Sequence, residues 1–145
     1  LKELAKNSRV TIIELSRKLK IPFSTIRVRI KSLENRRIIS GYSILLDLQK
    51  IGYQNYKIFI KTKDNSEASF NQLFKFALSH PNITYFLKTI GDHNYEFRVE
   101  VENQEKYQEI VKEIRSVLST RIEELETVLV FKELKEDFSV ILEYI

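Results

Sequence analysis

TIIELSRKLKIPFSTIRVRIKSLENRRII, residues 11–39, carries two apolar stripes at helical spacing. Ile12, Leu15 and Leu19 form the first, and Ile26, Ile30 and Leu33 the second; each is one buried face of a 3.6-residue helix. Lys20-Ile21-Pro22 separates them, and Pro22 cannot continue the first helix but suits the opening turn of the next. Thr11, with Glu14 three residues on, predicts a reciprocal cap on the first helix. With Ile26, Ile30 and Leu33 turned inward, about 100° per residue leaves Ser24, Arg27, Val28, Lys31 and Ser32 outward. That face has hydroxyls and cations and no carboxylate. Side chains of this kind let a helix enter a DNA major groove. Thr25 is a further candidate for a base edge, and Lys18, Arg36 and Arg37 are placed to meet phosphates at the margins. Arg29 stands about 60° from the apolar stripe, so the expectation for it is an ion pair with Glu14 or Glu34.

Helix pairs with basic outer faces also occur in proteins that never meet nucleic acid. The charge distribution separates the two cases. Residues 1–54 hold twelve Lys/Arg against four acids, a net of +8, while the remaining ninety-one residues net −4. The whole-chain +4 hides this split. A basic head on an acidic body is the electrostatic footprint of nucleic-acid binding.

The 145 residues allow one domain or two small ones, and 43% apolar content is enough for a packed core. There is no cysteine, which excludes disulfides, thiolate metal sites and cysteine nucleophiles. Two histidines are too few for an expected metal centre, and no metal or cofactor is assigned. No apolar run reaches the roughly 18 residues of a membrane span and no signal peptide is present, so a cytoplasmic protein is expected. The chain has no methionine and begins inside a helical pattern, with Leu1, Leu4 and Ala5 facing in, so residues upstream of Leu1 are expected.

Beyond the head, Ser43–Leu48 (SILLDL) reads as a strand, serving as wing or connector, and Ile51-Gly52-Tyr53 as a hinge. From Tyr56 the period changes. YKIFIKT is a strand, and Asn65 or Ser66 caps a helix with Phe70, Leu73, Phe74, Ala77 and Leu78 on its inner face. His80-Pro81 ends that helix. Ile83–Ile90 is a strand, Gly91-Asp92-His93-Asn94 a hairpin turn, and Tyr95–Val101 a strand that alternates cleanly. A second helix carries Tyr107, Ile110, Val111, Ile114 and Val117, followed by strands at Glu123–Leu134 and Phe138–Tyr144. The order β-α-β-β-α-β is ferredoxin-like. The fold class is therefore α+β: a helix-turn-helix head with its connecting strand over 1–54, and a ferredoxin-like unit over 55–145. One sheet face takes the helices. Phe59, Phe86, Ile90 and Val130 are candidates for the other, and a second copy of the chain is the expected cover.

Taken together, the head, the connecting strand and the ferredoxin-like unit resemble the Lrp/AsnC (feast/famine) transcription regulators. The matching residues are Arg9, Thr11, Glu14-Leu15, Ser24-Thr25-Ile26, Arg29-Ile30, Leu33-Glu34, Ile38-Ile39 and Gly41-Tyr42. Ser16 departs from the family's Ala, and Lys20 and Arg37 stand where the family favours Gly. Lys20 implies either a turn without positive backbone angles or a strained lysine. The resemblance implies double-stranded DNA as partner and a homodimer, with tetramers or octamers open. It also implies that the second half is an amino-acid-responsive RAM domain with its effector pocket at a dimer–dimer interface. The family's hairpin reads T-G-x-x-D; here Ile90 replaces Thr and Asn94 replaces Asp. Gly91, Asp92, His93 and Asn94 are the effector candidates, and loss of the carboxylate argues against ordinary amino acids. The same four residues also suit a plain hairpin turn. Two other functions fit the architecture: a DNA-binding architectural protein of low specificity, and a subunit resembling the sirohaem decarboxylases. The enzyme reading needs His and Arg converging on a carboxylate. Only His80, before a proline, and His93, in a turn, are on offer, so no enzyme activity is expected.

Overall fold

Thr11 starts the head's second helix as its spacing predicts. In the computed structural model, which describes residues 1–134, Glu14 N donates to Thr11 Oγ1 at 3.1 Å and Thr11 N donates to Glu14 Oε2 at 2.8 Å. The described residues form two compact units, one containing Leu1–Leu45 and the other Leu46–Glu133. The first holds α1 (Lys2–Lys6), α2 (Ile12–Leu19) and α3 (Phe23–Asn35). Leu15 and Ile26 are its buried anchors. Leu4, Leu15, Leu19, Ile26, Ile30 and Leu33 surround a cavity of about 300 Å³ between the helices. Leu1 and Ala5, expected to face in, are exposed, because α1 is a single short turn that covers little.

Both ends of α3 are turns in the left-handed region. Lys20 closes α2 at φ 54° and ψ 37°, and Arg37 follows α3 at φ 54°. Lys20 is therefore the strained lysine rather than a residue in an ordinary turn. The Ser16 hydroxyl donates to the Ile21 carbonyl at 2.6 Å and braces that turn. After α3, Ile38 N and Ile39 N both donate to the Leu33 carbonyl, at 2.9 and 3.2 Å.

The strand expected over Ser43–Leu48 is not formed: no ladder pairs these residues, and a 3₁₀ turn begins at Leu48. Ile44, Leu45 and Leu46 are exposed. A strand needs a neighbour to satisfy its backbone, and the described chain brings none here. Gly52 closes the 3₁₀ turn at φ 93°, a conformation glycine adopts without a Cβ clash.

The second unit runs β1 (Gln54–Thr62), α4 (Glu67–Ser79), β2 (Ile83–Lys88), β3 (Tyr95–Val101), α5 (Gln104–Leu118) and β4 (Ile122–Val130). Its sheet has the order β2-β3-β1-β4, with every neighbouring pair antiparallel. This is the ferredoxin-like arrangement. Alternation along β3 is as read: Tyr95, Phe97, Val99 and Val101 are fully buried. They pack with Ile58 and Ile60 of β1 beneath Leu73 of α4 and Tyr107, Ile110, Ile114 and Leu118 of α5. Each such side chain contributes roughly 1.5–3 kcal/mol by leaving water. Ser66 caps α4, its hydroxyl accepting from Ser69 N at 3.2 Å. The inner stripe of α4 is Ser69, Phe70, Leu73, Phe76 and Ala77, so Leu78, expected inside, points to solvent.

The uncovered sheet face differs from expectation. Phe86 lies on the helix side, 4.7 Å from the Phe97 ring, because a register irregularity between Ile83 and Tyr85 shifts its strand. Ile90 lies past the end of β2 and is fully exposed. Register places Asn55, Lys57, Phe59 and Lys61 of β1 opposite the helices, beside Glu96, Arg98 and Glu100 of β3 and Glu126, Val128 and Val130 of β4. Lys57 pairs with Glu96 at 2.8 Å. The face is mixed rather than apolar. Part of it is met by the chain itself: β4 ends at Val130, not Leu134, and Glu133 reaches back to Arg98 at 3.4 Å. The strand expected over Phe138–Tyr144 lies outside the described residues.

Candidate nucleic-acid interface and hairpin

Pro22 sets the entry into α3, and Ile26, half-buried Ile30 and half-buried Leu33 fix its rotation against α2. The opposite side then faces solvent by geometry. Ser24, Arg27, Val28, Lys31 and Ser32 are all exposed on it, and Thr25 is half-buried at its flank. Val28 is 67% exposed, an apolar side chain that no described residue covers. Glu34, the acid at the far end of α3, accepts a hydrogen bond from the Tyr42 hydroxyl at 3.0 Å. Arg29 pairs with neither expected acid, because Glu14 is committed to the Thr11 cap and Glu34 to Tyr42. Lys18 is ion-paired with Glu3, whose carboxyl is held below its usual range chiefly by that hydrogen bond. Arg36 and Arg37 are exposed just beyond the helix.

One residue of this surface escaped the sequence reading. Phe23, first in α3, is 43% exposed, and the Arg27 guanidinium lies over its ring at 5.4 Å. Such a stack limits the rotamers of a long cation before it meets DNA. The signal was an aromatic and an arginine four residues apart on one helix. By spacing Phe23 falls toward the apolar flank of α3, which hides its exposure in the sequence.

The hairpin between β2 and β3 is tied down by its own polar groups. Asn94 Oδ1 accepts from Thr62 N at 2.8 Å and from the Thr62 hydroxyl at 3.0 Å. Asn94 N donates to the Ile60 carbonyl at 2.8 Å, and the Thr89 hydroxyl donates to the His93 carbonyl at 2.6 Å. The Asn94 acceptor expected to meet an effector is thus turned onto β1. His93 lies against Phe59, with ring centroids 5.4 Å apart, and its Nε2 is 3.6 Å from Glu126. Gly91 has φ 150°, yet a Cβ built there would meet no atom within 4 Å, so no close backbone approach accounts for it. Asp92 remains exposed. His80 lies elsewhere, capping α4, with Asn82 N donating to its Nδ1 at 3.2 Å and Glu113 3.5 Å from its Nε2. The two histidines do not share a site.

On the sheet face away from the helices, Asn55 and Glu100 are directly opposed and both buried. Burial pushes the Glu100 carboxyl above its usual range, against the pull of the Arg98 guanidinium. Among the described residues no group of His, Asp or Glu could hold a metal ion, and no helix is long and apolar enough to cross a membrane.

Comparison with known proteins agrees with both units. Residues 57–140 match the Lrp/AsnC ligand binding domain, and residues 1–40 match a winged helix-turn-helix DNA-binding family. An uncharacterised HTH-type transcriptional regulator of Pyrococcus furiosus is 31% identical over 116 residues, 79% of this chain and 75% of that protein. The HTH-type transcriptional regulator LrpC of Bacillus subtilis is 27% identical over 77% of this chain and 76% of its own length. Among solved structures, a Neisseria meningitidis transcriptional regulator in complex with L-methionine superposes with a TM-score of 0.85 at 20% identity, covering 99% of this chain and 93% of that one. Escherichia coli AsnC gives 0.78 at 23% identity over 94% and 90%. At these identities the superpositions speak to fold alone.

Proposed function

The chain belongs to the Lrp/AsnC family, and from that premise we propose that it is a ligand-modulated transcription regulator whose α3 reads duplex DNA. The observation that carries this reading is the exposed, carboxylate-free face of α3. Arg27 is the candidate for a guanine edge, Ser24, Thr25 and Ser32 for hydrogen bonds to bases, and Val28 for a thymine methyl. Lys31, Arg36 and Arg37 supply phosphate contacts, and Lys18 does so once released from Glu3.

The second unit joins two copies. Exposed apolar groups support this: Leu46 at its start, after Ile44 and Leu45, and Val128, Leu129 and Phe131 at and just past the end of β4. A small-molecule effector binds near Gly91–Asn94, between subunits, and acts by changing how dimers assemble. Ordinary α-amino acids bind weakly there, since the Asn94 acceptor is already engaged with Thr62. The protein works in the cytoplasm, where its DNA is.

Selection of bound duplexes from a random-sequence pool tests the reading. A two-fold dimer gives a pseudo-palindrome with half-sites about 34 Å, one helical turn, apart. Enrichment of no sequence, with binding intact, would favour an architectural protein instead.

A further inference from the structure

We propose that Lys20 joins Arg37 as a phosphate contact, the two cations bracketing α3 and retained despite backbone strain. This rests on reading α3 as the DNA-binding helix.

Among the described residues three that are not glycine have positive φ: Lys20, Arg37 and Ser119. Ser119 ends α5 in the second unit. The other two bracket α3, both at φ 54°, and both are basic. Left-handed backbone brings an L-residue's Cβ against the following carbonyl, a clash that glycine avoids. Helix ends of this type take glycine or asparagine on stereochemical grounds. Local structure therefore gives no reason for a long cation at either position.

The surroundings hold the strained conformation in place. At Lys20, its own amide and that of Ile21 donate to the Ser16 carbonyl, and the Ser16 hydroxyl holds the Ile21 carbonyl. At Arg37, the amide donates to the Glu34 carbonyl at 2.9 Å, and the next two amides close onto Leu33. Strain over-determined by its neighbours is a mark of functional positions.

The charges are also uncommitted. Both side chains are exposed and neither is joined to an acid, whereas nearby Lys18 is paired with Glu3 and Arg27 is stacked on Phe23. Thirteen residues make α3 about 20 Å long, against a major groove about 12 Å wide. Cations just past each end of a helix lying in that groove come over the flanking phosphates.

The test uses the full chain and a mixed-sequence duplex, since phosphate contacts are independent of sequence. Lys20→Gly, Arg37→Gly and the control Lys112→Gln, an exposed cation on α5, are compared by thermal unfolding and by anisotropy titration between about 50 and 200 mM salt. Each glycine variant should melt higher than wild type and yet bind DNA several-fold more weakly, with a log–log salt slope shallower by about 0.9. Lys112→Gln should alter neither. Lys20→Asn, which tolerates the same backbone, should reproduce the binding loss. Glycine variants with an unchanged slope would overturn the phosphate contacts, and variants that melt lower would overturn the strain. A wild-type protein with no salt-dependent binding would instead remove the assignment of α3 itself.

Discussion

Asn94 shows how a single side chain can satisfy two readings of a sequence. The resemblance implies an effector contact at this position, but the Asn94 oxygen accepts two hydrogen bonds from buried Thr62. Asn94→Ala should cost about 1–3 kcal/mol in urea unfolding, because it leaves the Thr62 amide without a partner. Asn94→Asp keeps an oxygen that can accept both bonds and should lose far less. Equal losses would mean that the bonds to Thr62 do not hold the hairpin. Glu100 is the opposite case, a carboxyl whose burial opposes ionisation. A folded-state pKa above the unfolded value gives stability that is present in acid and lost as pH rises. Glu100→Gln should therefore stabilise the protein at neutral pH, and the advantage should vanish on acidification. Melting curves at several pH values measure it, and a pH-independent difference would refute the cause given.

Elements whose order comes from local chemistry were readable in the sequence. The α2 cap is one: Thr11 and Glu14 bond reciprocally as their spacing requires. Thr11→Ala should cost about 1 kcal/mol. Glu14 is held below its usual range, first by the Thr11 amide and then by the Thr11 hydroxyl. A depressed pKa gives stability that is present at neutral pH and lost as pH falls through the carboxylate range, so the Thr11→Ala deficit should shrink in acid. A deficit equal at both pH values would contradict the bond from the Thr11 hydroxyl to the Glu14 carboxylate. Strand β3 was readable for a similar reason, since period-two alternation with one face on the core has one solution. What failed depended on partners distant in sequence. Ser43–Leu48 has strand composition but no strand beside it. Phe86 changed faces through a register irregularity that no pattern of apolar residues announces. The sheet face was expected to be apolar from a few large residues. It is mixed because Lys57 and Lys61 share it with Phe59, and Glu96 and Glu126 lie beside them. Phe23 and Asn94 stayed hidden for a related reason, as exposure and bond partners are properties of the folded chain.

At the level of the whole molecule, the charge split of the sequence falls between its two parts. The basic part carries α3, and the acidic part carries the sheet. DNA repels the second and attracts the first, so the distribution orients the protein on approach as well as holding it. A head with two buried anchors has little stability of its own to spare, and its two left-handed cations lower it further. The second unit has the larger core, beneath α4 and α5.

We propose that the outward face of α3 reads DNA. The direct measurement is a titration of wild type and Arg27→Ala/Lys31→Ala on a duplex recovered by selection, with thermal unfolding of both proteins alongside. Arg27 bonded to guanine contributes about 1–3 kcal/mol, so the double variant should bind more than tenfold more weakly at an unchanged melting temperature. Wild-type affinity in the double variant would contradict the account.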